Sequence, residues 1–317
     1  MSERPPATTP ETVVGRRVTV SGATGLIGPS LIAALRERGV EVTVLTRDPA
    51  GAKARLGDVQ AVAWELMREP APAEALAGRD AVVHLAGEPV AQRWSQKVKR
   101  AIRESRVIGT RNLVEGLTRA QPRPRTLLSS SAIGYYGAHG EEPLDEDSPP
   151  GEDFVARVCV EWEAAAAAAR QLGTRVVQVR IGVVLARRGG ALAKMLPPFR
   201  LGLGGPVAGG CQFVSWIHVS DLVGMMLAAI EDERWNGPIN ATAPEPVSNR
   251  EFSTVLGLVL GRPALLPVPG LALRALYGDM AAIVTTGARV MPAKPLVLGF
   301  EFAHPHVEEA LRAALEA

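Results

Sequence analysis

Three glycines, Gly22, Gly25 and Gly28, recur at intervals of three in the string GATGLIG. Glycine at such positions permits a tight turn and lets a pyrophosphate approach the backbone at the positive end of a following helix. Further along stand three consecutive hydroxyls, Ser129, Ser130 and Ser131, and a tyrosine pair, Tyr135 and Tyr136. Such groups can hydrogen-bond a carbonyl oxygen or give it a proton. Arg47 follows the second apolar run, where a dinucleotide site reads the ribose. An acidic residue there takes the hydroxyls of NAD, whereas arginine pairs with the extra phosphate of NADP. Asp48, its neighbour, is the alternative ribose contact.

These residues need a strand, a turn and a helix to position them. Residues 18–21 form a short β-branched run, and Leu26, Ile27, Ser30, Leu31, Ala34 and Leu35 then recur at helical spacing as far as Gly39. Strands are predicted at 41–46, 61–64, 81–85, 126–130 and 175–184, with helices at 94–120 and 154–172. In the first of these helices Val98, Ile102, Ser105, Gly109, Asn112 and Gly116 make a narrow, partly small-residue stripe suited to close packing against the sheet. The alternation predicts an α/β protein, a Rossmann-type doubly wound parallel sheet with a smaller C-terminal substrate-capping region. Three segments follow: a disordered tail at 1–15, an NADP-binding domain at 16–185, and a region at 186–317 that is mainly cap, with segments returning to the sheet. Within the cap, helices are expected at 221–231, 249–260 and 307–315, and a strand at 238–240.

Composition narrows the function classes. A net charge of +2 over 317 residues offers no basic field for a nucleic-acid backbone. No apolar stretch approaches the roughly 20 residues of a membrane span, so no membrane partner is expected. Cys159 and Cys211 match no metal spacing, no metal site is predicted, and so few thiols suit a reducing compartment, the cytoplasm by default. The partner expected is a small-molecule substrate; the oligomeric state is left open.

The strings GATGLIG, VVHLAG, VIGTRNL, SSSAIGYYG and WIHVSD together resemble the extended short-chain dehydrogenases/reductases, the superfamily of the nucleotide-sugar epimerases. Within it, RWSQKVKRAIRESRVIGTRNL, DEDSPPGEDF, RIGVVL and the tail TGARVMPAKPLVLGFEF resemble the atypical branch called epimerase-family or SulA-family oxidoreductases. The resemblance implies a cofactor lying against Gly22, Thr24, Gly25, Leu26, Ile27 and Gly28, against Leu85, Ala86 and Gly87, and near Arg106, with Arg47 favouring NADP. It implies a packed role for His84. Replacing Gly25 or Gly28 by valine is expected to abolish cofactor binding and to leave the fold intact.

The catalytic set that the resemblance implies is a Tyr with a Lys four residues later, a Ser, and an Asn on the long helix. The chain has no Tyr-x-x-x-Lys. Aligned on Glu163, the two places fall on Val155 and Cys159; aligned on the aromatic, on Phe154 and Val158; and Arg106 stands in place of the Asn. A tyrosine at its ordinary pKa is ionised to about one part in a thousand at pH 7, a penalty of roughly 4 kcal/mol if it must act as base. Reduction, which needs a donor, survives this loss better than epimerisation. Tyr135 or Tyr136, helped by Ser131, is therefore the expected donor in NADPH-dependent reduction of a small carbonyl compound. A non-catalytic NADP(H)-binding regulator and a nucleotide-sugar epimerase are the alternatives. Arg93, Arg106, Arg180, Arg289 and Lys294 together offer a set for an anionic ligand. Cys159 is given no role.

Overall fold

Apolar runs too short and too β-branched for helices become the strands of one sheet, and the computed structural model describes residues 16–316. The tail expected at 1–15 lies outside the described residues. Strands β1 (Arg17–Ser21), β2 (Glu41–Thr46), β3 (Gln60–Ala63), β4 (Ala81–His84) and β5 (Thr126–Ala132) alternate with helices α1 (Gly28–Glu37), α2 (Pro49–Leu56), α3 (Ala73–Leu76) and α4 (Gln96–Arg119). A short strand β6 (Pro143–Leu144), helix α5 (Phe154–Ala167), and strands β7 (Arg175–Ile181) and β8 (Val183–Leu185) follow. The chain continues through α6 (Gly190–Arg200), β9 (Phe213–Val214), β10 (Trp216–His218), α7 (Val219–Glu231) and β11 (Gly237–Ala241). It ends with β12 (Val247–Ser248), α8 (Asn249–Leu260), α9 (Gly270–Tyr277), α10 (Ala281–Thr285), β13 (Arg289–Val290), α11 (Ala293–Val297) and α12 (Val307–Glu316).

Seven strands form the parallel sheet in the order β11-β7-β5-β4-β1-β2-β3. This is the doubly wound Rossmann arrangement expected, and β11 is its far edge, reached after the chain has passed through the cap. Both faces are buried. On one, Val18, Val20 and Val83 pack with Leu31 of α1 and Met225 of α7; on the other, Val82 and Leu127 pack with Leu113 and Leu117 of α4. A third core, built by Leu192, Phe199, Trp216, Phe252 and Leu311, holds the cap together. Among the described residues no helix is long and apolar enough to cross a membrane.

Three expectations needed adjustment. The strand predicted at 175–184 is divided at Gly182, because the Gly182 N–H donates to Ala241 of β11 while Val183 donates to Ser215. Beyond that point β8 leaves the sheet and pairs with β10. The helix predicted at 154–172 is α-helical to Ala167 and tightens into a 3-10 turn at Ala168–Leu172, closed by Gly173 in the left-handed conformation. Helices α6, α9, α10 and α11 were not anticipated: α6 lies in a Gly- and Pro-rich stretch and holds Pro197 and Pro198, and the other three are short, α9 burying no residue.

Candidate functional site

Ligands of doubly wound sheets bind beyond the carboxyl ends of the strands, where the connections diverge, and here that place lies between β1 and β4. The turn leaving β1 is closed by the Gly25 N–H donating to the Gly22 carbonyl at 3.0 Å. Gly22 has φ +72°, and a Cβ on it would stand 2.6 Å from the Ala86 nitrogen. A Cβ on Gly28 would overlap the Ala23 carbonyl. Glycine at 22 and 28 therefore lets turn, helix and sheet close on one another, which corrects the expectation that the fold would tolerate valine at Gly28. Gly25 is different: it is exposed, and its Cβ would meet only the Gly22 carbonyl, at 3.1 Å. It lies just before α1, whose cap residue Ile27 offers no side-chain hydrogen bond. Open helix N–H groups beside a bare glycine fit the pyrophosphate of a dinucleotide.

Around this turn, Leu85 donates its N–H to the Ser21 carbonyl at 3.0 Å, and Thr24 is half-buried. Leu26 lies beside Gly189 and Gly190 of the cap. Arg47 is exposed past the end of β2. Asp48 caps α2 by accepting the Gly51 N–H at 2.9 Å, so its carboxylate is engaged by its own helix. His84 is fully buried, hydrogen-bonded to Ser21 at 2.6 Å, and lowered to about 4 by burial and by the Arg106 charge.

Next to the turn is a cavity of about 210 Å³ between the ends of β4 and β5 and helices α4 and α5. Ile27 and Leu85 border it on the turn side; Trp94, Phe154 and Trp162 are its aromatic wall. Its polar groups come from Arg106, Ser130, Ser131 and Cys159. Ser131 donates from Oγ to Glu163 Oε1 at 2.6 Å. Glu163, on α5, also accepts from Arg180 Nε and Nη2, both at 2.9 Å. Parallel pairing of β5 with β7 sets Ser131 directly opposite Arg180, so two strands and one helix build this trio. All three residues are buried. Burial by itself would lower the Arg180 pKa; the hydrogen bonds and charge of Glu163 outweigh it and raise it.

Neither tyrosine borders the cavity. A 3-10 turn at Ile133–Tyr136 carries them away from the end of β5. The Tyr136 hydroxyl is fully buried, donates to Asn240 Oδ1 at 2.7 Å and accepts from Arg180 Nη1 at 2.9 Å. Burial pushes its pKa up, so it holds its proton inside the protein. Tyr135 lies with its ring centroid 3.5 Å from the Arg180 guanidinium. Of the three expected catalytic residues, the structure brings Ser131 alone to the cavity; the tyrosines support Arg180 from behind.

Residues 18–241 match the family described as NAD dependent epimerase/dehydratase family. The chain belongs to that family. Residues 268–314 match a domain of unknown function, DUF1731, which takes in the whole of the tail string that carried the finer resemblance. The chain is 42% identical over 301 residues to the chloroplastic epimerase family protein SDR39U1 homolog of Arabidopsis thaliana, covering 94% of this chain and 86% of that protein. It is 38% identical over 301 residues to human epimerase family protein SDR39U1, covering 93% and 98% of the two chains. The crystal structure of human SDR39U1 isoform 2 with NADPH matches at a TM-score of 0.85 and 37% identity, over 95% of this chain and 99% of that one.

In this member of the epimerase/dehydratase family, Phe154, Val155, Val158 and Cys159 all line the cavity, so both alignments of the Tyr and Lys places fall on its wall. The Cys159 thiol is pushed up to about 12 by burial and by the Glu163 charge, which keeps it protonated. The five cations expected as an anion-binding set are not assembled. Arg93 donates to the Ala275 and Leu276 carbonyls, Lys294 to the Asn236 carbonyl, and Arg289 lies over Phe213. Arg180 is paired with Glu163, which leaves Arg106 as the set's one member at the cavity. Sequence reasoning missed Asn240 and Glu146, and used Glu163 merely as an alignment mark. Glu146 accepts the Asn240 and Lys294 N–H groups at 2.9 and 3.1 Å and gives its carbonyl to Arg180 at 3.1 Å. The one available signal was Glu163 beside Trp162 at the head of an alanine run, a carboxylate on a helix otherwise built for burial.

Proposed function

We propose that the chain is an NADPH-dependent oxidoreductase that reduces a small carbonyl compound. One observation carries the reading: the Ser131 hydroxyl stands in a largely apolar cavity beside the glycine turn, backed by Glu163 and Arg180. The cofactor assignment draws support from the glycine cradle, from Arg47 and from the NADPH bound by human SDR39U1. Gly22, Thr24, Gly25 and the first N–H groups of α1 would hold the pyrophosphate, and Arg47 the extra phosphate. When bound, NADPH supplies a hydride for the carbonyl carbon.

The remaining work falls to the chain's own side chains. Ser131 can turn its proton from Glu163 toward a carbonyl oxygen, because Arg180 still satisfies both carboxylate oxygens. No buried charge is orphaned by that rotation. Charge developing on the oxygen then meets the Ser131 hydroxyl in a site with apolar walls, where such a bond is strong, and a proton taken up from water completes the alcohol. The cavity, about 210 Å³, lies below the roughly 300–1,000 Å³ of ordinary ligand pockets and suits a small molecule better than a nucleotide sugar. Epimerisation would further need a base to take a hydroxyl proton, and no ionised tyrosine borders the cavity. A second reading, NADPH binding without turnover, is favoured by the lack of a Tyr and Lys pair in either alignment with the resembling family, Val155 with Cys159 or Phe154 with Val158.

Ser131→Ala tests the proposal. Removing one such donor lowers turnover by about 10²- to 10³-fold, with NADPH affinity unchanged. Full activity in the variant would overturn the role of Ser131. Tight NADPH binding by the wild type, with no reduction across a panel of aldehydes, ketones and oxo acids, would leave the second reading.

A further inference from the structure

Arg106 is a cation in the cavity wall that forms no salt bridge among the described residues, the Glu88 charge acting on it only from a distance. It projects from the middle of α4, is half-buried, and uses one nitrogen: Nη1 donates to the Glu88 carbonyl at 3.0 Å and the Ile102 carbonyl at 3.1 Å. Among the described residues no carboxylate pairs with it, and none accepts from Nε or Nη2. The Glu88 carboxylate accepts instead from Gln92 Nε2, at 3.1 Å. The guanidinium is held in place from two sides. Its Cζ lies 5.1 Å from the Trp162 ring centroid, and a Cβ on Gly87 would stand 3.3 Å from it, so the bare glycine makes room for the side chain. Burial lowers the Arg106 pKa, yet an arginine keeps its charge.

Arg180 shows what the same chain does with a buried guanidinium that serves structure: both of its edges are matched, by Glu163 and by Tyr136. Arg106 keeps an unused edge, and the cavity around it is otherwise walled by apolar side chains, Ser130, Ser131 and Cys159 apart. A charge so placed is unfavourable unless a partner arrives with the ligand. The Nε and Nη2 edge is the fork that takes a carboxylate through two parallel hydrogen bonds. One unmatched cation suits a monoanion better than a doubly charged phosphate.

We propose that Arg106 anchors the carboxylate of the substrate, so that the molecule presented to Ser131 is a small oxo acid with an apolar body against Trp94 and Phe154. The proposal rests on the reductase reading for the oxo group, and on geometry alone for the carboxylate.

The test is calorimetric titration of protein saturated with NADP⁺, which permits no reduction. The probes are pyruvate, 3-methyl-2-oxobutanoate and phenylglyoxylate, each beside its methyl ester, with inorganic phosphate as a further probe. At least one acid is expected to bind roughly 10- to 100-fold more tightly than its ester. Arg106→Met should abolish that difference, Arg106→Lys should keep part of it, and both should leave NADPH affinity within about twofold. Equal binding of acids and esters, or a preference that survives Arg106→Met, overturns the anchor. Phosphate binding above all acids overturns the carboxylate. Parallel loss of NADPH affinity would return Arg106 to the cofactor. If the acids bind through Arg106 and none is reduced by NADPH, the reductase reading fails while the anchor stands.

Discussion

Arg47 and Asp48 are neighbours with opposite charges at the end of β2, and the structure separates their duties. Asp48 is held by the N-terminus of α2, and Arg47 is exposed past the end of β2, which under the proposed function leaves it for the extra phosphate of NADPH. Arg47→Ala should weaken NADPH by about 1.5 to 3 kcal/mol, the range for a charge-assisted hydrogen bond, and leave NADH nearly unaffected. Fluorescence titration with both cofactors decides it, and equal losses would show that Arg47 does not read the phosphate. At this scale the glycines and Ser131 were legible, because a glycine turn after a strand and a hydroxyl at a strand end carry their meaning locally. Tyr136 was not. Its direction is set by a 3-10 turn and by Asn240 and Arg180, partners distant in sequence that no spacing rule reveals. The Glu163–Arg180 pair is hidden for the same reason, since it joins a helix to a strand through the register of β5 with β7.

Helix α4 shows how far periodicity carries. The stripe of small residues read from the sequence does pack closely: a Cβ on Gly109 would stand 2.5 Å from Leu66 Cδ1, and one on Gly116 would overlap the Ala71 carbonyl. Alanine ordinarily stabilises a helix interior by about 1 kcal/mol over glycine. At Gly116 the sign reverses, because backbone cannot yield as a side chain can, and Gly116→Ala should destabilise the protein by about 1 to 3 kcal/mol. Urea denaturation measures it; a stabilised variant would mean that α4 can move away from the Ala71 backbone freely. Among the elements, the six strands predicted in the first 185 residues are present, β2 with the bounds expected and the other five with at least one end shifted. The short pairs β6–β13 and β9–β12 were invisible, since each joins two-residue strands far apart in the chain and two residues carry no period.

Across the whole molecule, two buried histidines tie folding to pH. His84 and His218 are both lowered to about 4, in each case by burial first, then by Arg106 for His84 and by His304 for His218. Between pH 6.5 and 4 the unfolded chain takes up protons that these folded imidazoles refuse. Stability is therefore complete above pH 6.5 and is lost as pH falls, by about 1 kcal/mol per pH unit for each histidine. Glu146 and Asp221, raised by burial, act in the opposite sense above the carboxylate range. Comparing urea melts of wild type and His84→Gln at pH 7 and pH 5.5 isolates one histidine. The variant should lose less stability between the two, and identical losses would refute the assignment.

The same molecule places a backed serine in one small cavity whose border reaches the glycine turn through Ile27 and Leu85, and the proposed function stands on hydride transfer occurring there. The direct measurement is incubation with NADPH carrying deuterium at the transferable C4 position, over aldehydes, ketones and oxo acids, followed by mass spectrometry of the products. The account predicts an alcohol with one deuterium on the former carbonyl carbon, formed far more slowly by Ser131→Ala. Unlabelled carbonyl compounds recovered intact, from protein that binds NADPH tightly, would contradict it.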